Sequence, residues 1–206
     1  MTGPSRGPAD GAGPAPVDIG FRRLTEADLP HVYTWRRRDF VAEWYGNPPA
    51  GLADVARTYL PRIRGEAPTD CYLILSAGVP IGLIQTYMIH DYPEYAEHVG
   101  VDEDTAGLDL FIGEAGHIHR GLGPVILRCF LDEVVFPGRA ASCVVGPAPS
   151  NRAAIRAYEK AGFRYLKTVQ LPDEPVSELI MVITPADLGR RNQGLFAERS
   201  GKEQCG

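Results

Sequence analysis

Two short segments about thirty residues apart limit what this chain can fold into more than any others. One is Arg120-Gly121-Leu122-Gly123; the other is the run from Pro149-Ser150-Asn151 through Tyr158 to Gly162-Phe163. After the glycine turn, Leu122, Ile126, Phe130 and Val134 recur at every fourth position, with Leu127, Leu131 and Val135 beside them. That period predicts a buried helix from Leu122 to about Phe136, with Pro124 in its first turn where a missing N–H costs little. The second segment predicts a helix over Asn151–Ala161, closed by Gly162. Two helices, each flanked by short apolar runs, rule out an all-β barrel and a plain helix bundle.

The rest of the chain fills in around them. Ile19–Leu24 is a predicted strand, and Thr25 can cap a helix reaching about Arg38, with Pro30 moving its true start downstream. Another helix is expected from Leu52 to about Arg64. Cys71–Ser76 and Pro80–Ile89 flank Ala77-Gly78-Val79 as a hairpin. A polar, acidic stretch follows to about Thr105, and Leu108–Ile112, Ala140–Val145, Phe163–Gln170 and Val176–Ile183 are expected strands. The result is an α/β (α+β) domain: a mixed, mostly antiparallel central sheet flanked by helices, spanning residues 18–190. Residues 1–17, rich in Gly, Pro and Ala, are expected to form a disordered tail, and residues 191–206 a flexible one.

Composition narrows the class. A net charge of −5 argues against nucleic-acid binding, which needs a basic face. Cys71, Cys129, Cys143 and Cys205 include no CxxC pair, so reduced thiols and a cytoplasmic location are expected. No apolar stretch reaches membrane-spanning length. The chain is expected to act as a monomer or a homodimer.

The chemistry follows from the same two segments. A glycine turn opening a helix presents backbone N–H groups and the positive helix end, which suit a pyrophosphate; a tight connection without a ligand would have the same sequence. Asn151 and Tyr158 are seven residues apart, nearly two turns, and so share a helix face. Asn151 either caps that helix or holds a pantetheine arm. Tyr158 either fills the core or protonates a departing thiolate. Together these features suit acyl transfer from a coenzyme A thioester. Arg120, Arg152 and Arg156 can meet phosphates or simply face solvent.

The acceptor side is acidic. From Gln85 to His119 there is no lysine or arginine, while Asp91, Glu94, Glu97, Asp102, Glu103, Asp104, Asp109 and Glu114 all fall in that window. Such a surface draws a polycation, although a solvated acidic loop has the same composition. Asp109 stands apart, because Gly107-Leu108-Asp109-Leu110-Phe111-Ile112 is otherwise apolar and a carboxylate there needs a partner or a task. Trp44, Tyr45, Tyr87, Tyr92 and Tyr95 supply aromatic faces for ammonium groups. His90, His98, His117 and His119 match no familiar metal spacing, and no metal is expected.

These residues resemble the GNAT superfamily of acyl-coenzyme A N-acyltransferases over Phe21 to Ile183, and most of all its aminoglycoside 6'-N-acetyltransferase branch. Glu43-Trp44-Tyr45-Gly46, Gly107-Leu108-Asp109, Pro147–Asn151 and Ala154–Phe163 carry that similarity. The resemblance implies acetyl-coenzyme A held near Phe111, Ile112, Arg120, Gly121, Leu122, Gly123, Pro124 and Asn151, with N–H groups near Phe111–Gly113 polarising the thioester carbonyl. It implies Asp109 as base or ammonium ligand and Tyr158 as acid. Trp44, Tyr45, Tyr87 and Glu94 would line the sugar site, in a sheet splayed between the Leu108 and Ala140 strands. Transfer would be direct, through a ternary complex, to an amine of a polycationic sugar. Two alternatives remain open: acylation of lysine-like amines in siderophore assembly, and a coenzyme-binding module without catalysis.

Overall fold

The strands are β1 (Ile19–Arg23), β2 (Thr69–Ser76), β3 (Val79–Met88), β4 (Thr105–Ile112), β5 (Ser142–Val145), β6 (Arg164–Val169) and β7 (Glu178–Ile183). The helices are α1 (Leu29–Arg36), α2 (Asp39–Tyr45), α3 (Leu52–Ile63), α4 (Pro93–Val99), α5 (Leu122–Phe130) and α6 (Arg152–Ala161). This computed structural model describes residues 18–138, 140–172 and 175–189. The expected tails and Cys205 lie outside the described residues. The strands form one sheet in the order β1-β2-β3-β4-β5-β7-β6, antiparallel at every step except β4–β5, which is parallel. The expected mixed, mostly antiparallel sheet is what forms, and no helix among the described residues is long and apolar enough to cross a membrane.

Alternation along the strands divides the core. On one face, Leu73, Leu83 and Phe111 meet Trp35 and Tyr59 from α1 and α3, while α4 covers Val144 and Ile180 further along the same face. On the other face, Ile74, Ile84 and Leu108 pack against Ile126 and Phe130 of α5 and Ile155 and Tyr158 of α6. The sheet is therefore a central layer between two helical layers.

Local chemistry sets the element ends. The β2–β3 connection is a two-residue turn, Ala77-Gly78, with φ of +49° and +77°, the left-handed pair that a tight hairpin needs. The single helix expected from Thr25 is instead a short 3-10 turn, Glu26–Asp28, followed by α1 with Pro30 in its first turn. Two helices were not expected. α2 follows directly on α1, and α4 occupies the acidic stretch, started by Pro93 and stopped by Gly100 in a left-handed conformation (φ +52°).

The helix expected to run from Leu122 to Phe136 changes winding at Leu131. There the Phe136 N–H bonds to Leu131 O across five residues, a π turn. The wider turn rotates the buried face by one position, so Val135 rather than Val134 is fully packed. α6 is closed at both ends: Asn151 Oδ1 accepts the Ala154 N–H at 3.1 Å, and Gly162, at φ +117°, donates to Tyr158 O and Glu159 O.

The junction between β1 and α1 rests on one buried carboxylate. Arg22 donates from Nη1 and Nη2 to Asp28 at 3.0 and 2.8 Å, and Thr25 adds donors from its N–H and hydroxyl at 2.9 and 2.6 Å. Burial alone would raise this carboxyl, but these donors more than offset it and hold its pKa at about 2, against 3.8 when free. The native carboxylate thus contributes stability above about pH 4 that fades as pH falls toward 2. Urea unfolding of Asp28→Asn should show a stability deficit at neutral pH that shrinks steadily on acidification. A deficit independent of pH would show that the ion pair is not its source.

Candidate active site

β4 and β5 begin side by side and then part. Thr105 Oγ1 and Ser142 Oγ lie 2.9 Å apart, and the Ala141 N–H bonds to Asp104 O at 2.8 Å. Pairing then covers Thr105–Ser142, Ala106–Cys143 and Gly107–Val144 and ends. β5 leads into Gly146-Pro147-Ala148-Pro149, where each proline lacks the N–H a ladder needs, while β4 runs on to Ile112.

Which backbone groups face that opening is set by the β3 ladder. Gly113 donates to Ile81 O at 2.8 Å, and the register pairs Leu83 with Phe111 and Gln85 with Asp109. Antiparallel alternation therefore turns the N–H groups of Gly113, Phe111 and Asp109 toward β3 and those of Ile112 and Leu110 toward the open edge. Of the expected donors over Phe111–Gly113, only Ile112 faces the gap. The Phe111 ring packs with Trp35 and Tyr45, at centroid distances of 6.3 and 4.9 Å.

A cavity of about 320 Å³ adjoins this gap, with Arg62, Gln85, Tyr87, Tyr92, Tyr95, Leu108, Asp109, Val144, Gly146 and Glu178 among its lining residues. Asp109 Oδ2 accepts from Gln85 Nε2 at 3.1 Å, and Gln85 Oε1 accepts from Arg62 Nη1 at 2.8 Å. Burial pushes the Asp109 carboxyl up from its ordinary value, and the Gln85 hydrogen bond and the Arg62 charge oppose that rise. On the far side, Glu178 Oε2 accepts from the Tyr95 hydroxyl at 2.8 Å. Tyr87 and Tyr92 meet edge-to-face at 5.0 Å. Gly107 leaves room for the Tyr87 ring, which a Cβ there would meet at 2.5 Å.

Tyr158 comes from the opposite layer. Its ring lies edge-on to Phe163 at 5.5 Å and is 8% exposed. Burial first, then the Asp109 charge, push its pKa up, so the phenol stays protonated. Asp109 thus acts electrostatically on Tyr158 although the two belong to different faces of the sheet.

At the glycine turn, His119 and Gly121 both adopt left-handed backbone, with φ of +58° and +74°. For His119 this costs on the order of 1 kcal/mol. A Cβ on Gly121 would meet nothing within 4 Å, so the space above the turn is open. Leu122 is buried, leaving its main chain at the turn. By helix geometry the N–H groups of Leu122 and Gly123 have no intrahelical acceptor, and Pro124 has no N–H. The turn therefore offers open space and donors without an intrahelical acceptor, which fits a diphosphate. Gly123 also serves packing, since a Cβ there would stand 3.3 Å from Ala157 Cβ on α6. Arg120, Arg152 and Arg156 are exposed.

The remaining expected residues scatter. Trp44 is 42% exposed and does not line the cavity, whereas Tyr45 is turned inward with the Arg36 guanidinium over its ring at 4.9 Å. Glu94 is exposed on α4; the wall of the cavity is its neighbour Tyr95. Of the eight acids in the basic-free window, Asp109 alone lines this cavity; the second carboxylate, Glu178, comes from β7. Asn151 Oδ1 accepts the cap bond, which leaves the amide Nδ2 donors and one lone pair of Oδ1 for a ligand. Sequence reading missed Arg62, Gln85 and Glu178. A lone amide within the apolar strand Val79–Met88 marked Gln85 as clearly as its own strand marked Asp109.

Comparison with known proteins gives a consistent result. The profile of the Acetyltransferase (GNAT) domain family matches residues 25–171. The chain is 31% identical over 175 residues to an aminoglycoside N(6')-acetyltransferase type 1 of Serratia marcescens, covering 84% of this chain and 87% of that one. It is 32% identical over 164 residues to the protein of the same name from Klebsiella pneumoniae, covering 79% and 82%. Its fold matches the crystal structure of aminoglycoside acetyltransferase AAC(6')-Ib in complex with coenzyme A and kanamycin with a TM-score of 0.76 at 31% identity, over 85% of this chain and 99% of that one.

Gly107→Ala tests the cavity wall. The added methyl forces the Tyr87 ring out of place, and overpacking of this kind costs about 1–3 kcal/mol. Denaturant melts should show that loss, and the acceptor KM should rise more than the KM for acetyl-coenzyme A; equal change in both would detach Tyr87 from the acceptor side.

Proposed function

We propose that this chain, which belongs to the GNAT acetyltransferase family, transfers an acetyl group from acetyl-coenzyme A to an amine of an aminoglycoside, the 6'-amine by similarity to its relatives. One observation carries the reading. An aromatic cavity holding two carboxylates, Asp109 and Glu178, opens beside the edge of β4 where its pairing with β5 has ended. Paired acids with tyrosine faces suit a polycation that also stacks.

Acetyl-coenzyme A supplies the acetyl group as an activated thioester. The Leu122 and Gly123 N–H groups bind its diphosphate, and Arg120 lies exposed beside them. The Ile112 and Leu110 N–H groups on the open edge hold the carbonyl oxygen as negative charge grows on it. Asp109 receives the acceptor ammonium and takes up its proton, directly or through water. The amine is mostly protonated at neutral pH, so attack requires that loss. A buried carboxylate with a raised pKa is a better base than an exposed one, and it also orients the amine. Tyr158 donates toward the sulfur of the leaving thiolate. Its pKa lies above that of a thiol, so a full transfer runs uphill and its main contribution is a hydrogen bond in the transition state. Trp44 and Glu94, both exposed and outside the cavity lining, meet the outer parts of a large acceptor.

Thiol release measured with a panel of aminoglycosides, polyamines and lysine derivatives, with the product position read by NMR, tests the assignment. Turnover confined to lysine derivatives, or absent altogether, would replace it. Tyr158→Phe should lower kcat by about 100-fold or more while leaving coenzyme affinity near normal. Asp109→Asn should lower kcat/KM for the acceptor by a similar order. The acceptor KM should climb with added salt, because like-signed cavity charges attract the substrate.

A further inference from the structure

Arg62 is a puzzle in a cavity meant for cations. It is the one lysine or arginine among the described residues lining that cavity, and it opposes any ammonium that enters. We propose that Arg62 and Gln85 form a positioning relay that fixes the orientation of the Asp109 carboxylate and keeps it ionised for the incoming amine. This rests on the assignment of Asp109 as the amine-facing carboxylate.

The geometry leaves the relay only one arrangement. A guanidinium has donors and no acceptor, so Gln85 must turn Oε1 to Arg62, at 2.8 Å. Its Nε2 then faces Asp109 Oδ2, at 3.1 Å. A flipped amide would set donor against donor at Arg62 and oxygen against oxygen at Asp109. Arg62 itself is anchored, with Cζ 5.4 Å from the centre of the Tyr59 ring, and Cys71 Sγ adds a contact of 3.7 Å to Gln85 Oε1. Gln85 is 8% exposed, so water does not loosen the pair. With Oδ2 engaged, Asp109 Oδ1 has no hydrogen bond among the described residues and remains for the acceptor.

The burial of Asp109 gives such a relay its task. Tyr45 of α2, Tyr87 of β3, Tyr95 of α4, Cys143 of β5 and Tyr158 of α6 all feel the Asp109 charge, and all are neutral at ordinary pH. Glu178 of β7 lines the same cavity with a second negative charge. Arg36 stacks on Tyr45 and bonds to Tyr45 O at 3.0 Å. Without Arg62, burial would favour a protonated Asp109 all the more, and a protonated carboxyl cannot accept a proton. The relay opposes that rise while keeping the guanidinium one residue removed from the amine.

The test is the pH dependence of kcat/KM for the acceptor. Arg62→Met and Gln85→Leu should move the acid limb up by about one pH unit, a roughly tenfold loss along that limb that narrows at alkaline pH. Arg62→Lys, which keeps a donor and the charge, should recover most of it, and the KM for acetyl-coenzyme A should not change. A uniform fall at every pH, or Arg62→Lys no better than Arg62→Met, overturns the relay. Carboxyl ¹³C NMR titration of Asp109, in wild type and Arg62→Met, reads the same shift without turnover, and an unmoved midpoint also overturns it. If the wild type acetylates no amine, the functional assignment fails and the titration alone decides the relay. Thermal melts confirm that each variant folds; Arg62→Gln, with the same expected shift, takes the place of Arg62→Met if that variant does not.

Discussion

After Gly107 and Val144 the ladder between β4 and β5 ends, and the rest of the molecule is arranged around that ending. The two strands are tied at their start by Thr105 and Ser142 and separated at their far end by a proline-rich exit from β5. Unpaired backbone inside a protein is costly, so such an edge persists only where something else satisfies it. Here α5 and α6 close one face of the opening and α3 and α4 flank the other. The N–H groups of Leu110 and Ile112 face that opening.

A second constraint is electrostatic. Asp109, Gln85 and Arg62 form a hydrogen-bonded line from β4 through β3 to α3, with little solvent to weaken it. In such surroundings a partly satisfied group costs more than in water, and a fully satisfied one is held rigidly. The same line explains why an acidic cavity tolerates an arginine. Glu178 and Tyr95 form a separate pair, so the two carboxylates are supported from different helices of one layer, α3 and α4.

Local signals account for what was legible and what was not. Strands and the helices α3, α5 and α6 showed strong apolar periods, and each formed near its expected limits. α4 was hidden by its composition: its charged and aromatic residues conceal a helix whose one fully buried side chain is Val99, although Pro93 and Gly100 mark both of its ends. The π turn at Leu131 was invisible, because an i, i+4 ladder looks the same until the winding changes. Among site residues, Asp109 and Gln85 could be found as lone polar groups in apolar strands. Glu178 and Arg62 could not, since each sits in a segment where a charged residue is ordinary.

The sequence by itself determined the two helices on either side of β5, the glycine turn and the presence of a carboxylate in a strand that should have none. Each follows from the spacing of neighbours along the chain, which acts over a few residues. Only the tertiary structure decided which backbone groups face the gap, that Tyr95 rather than Glu94 forms the wall, and that Glu178 and Arg62 join Asp109. Those choices depend on sheet register and on contacts between residues 23 to 83 positions apart, as in Gln85 with Arg62 and Glu178 with Tyr95. No local pattern encodes them, because they exist only once the strands have paired and the helices have docked.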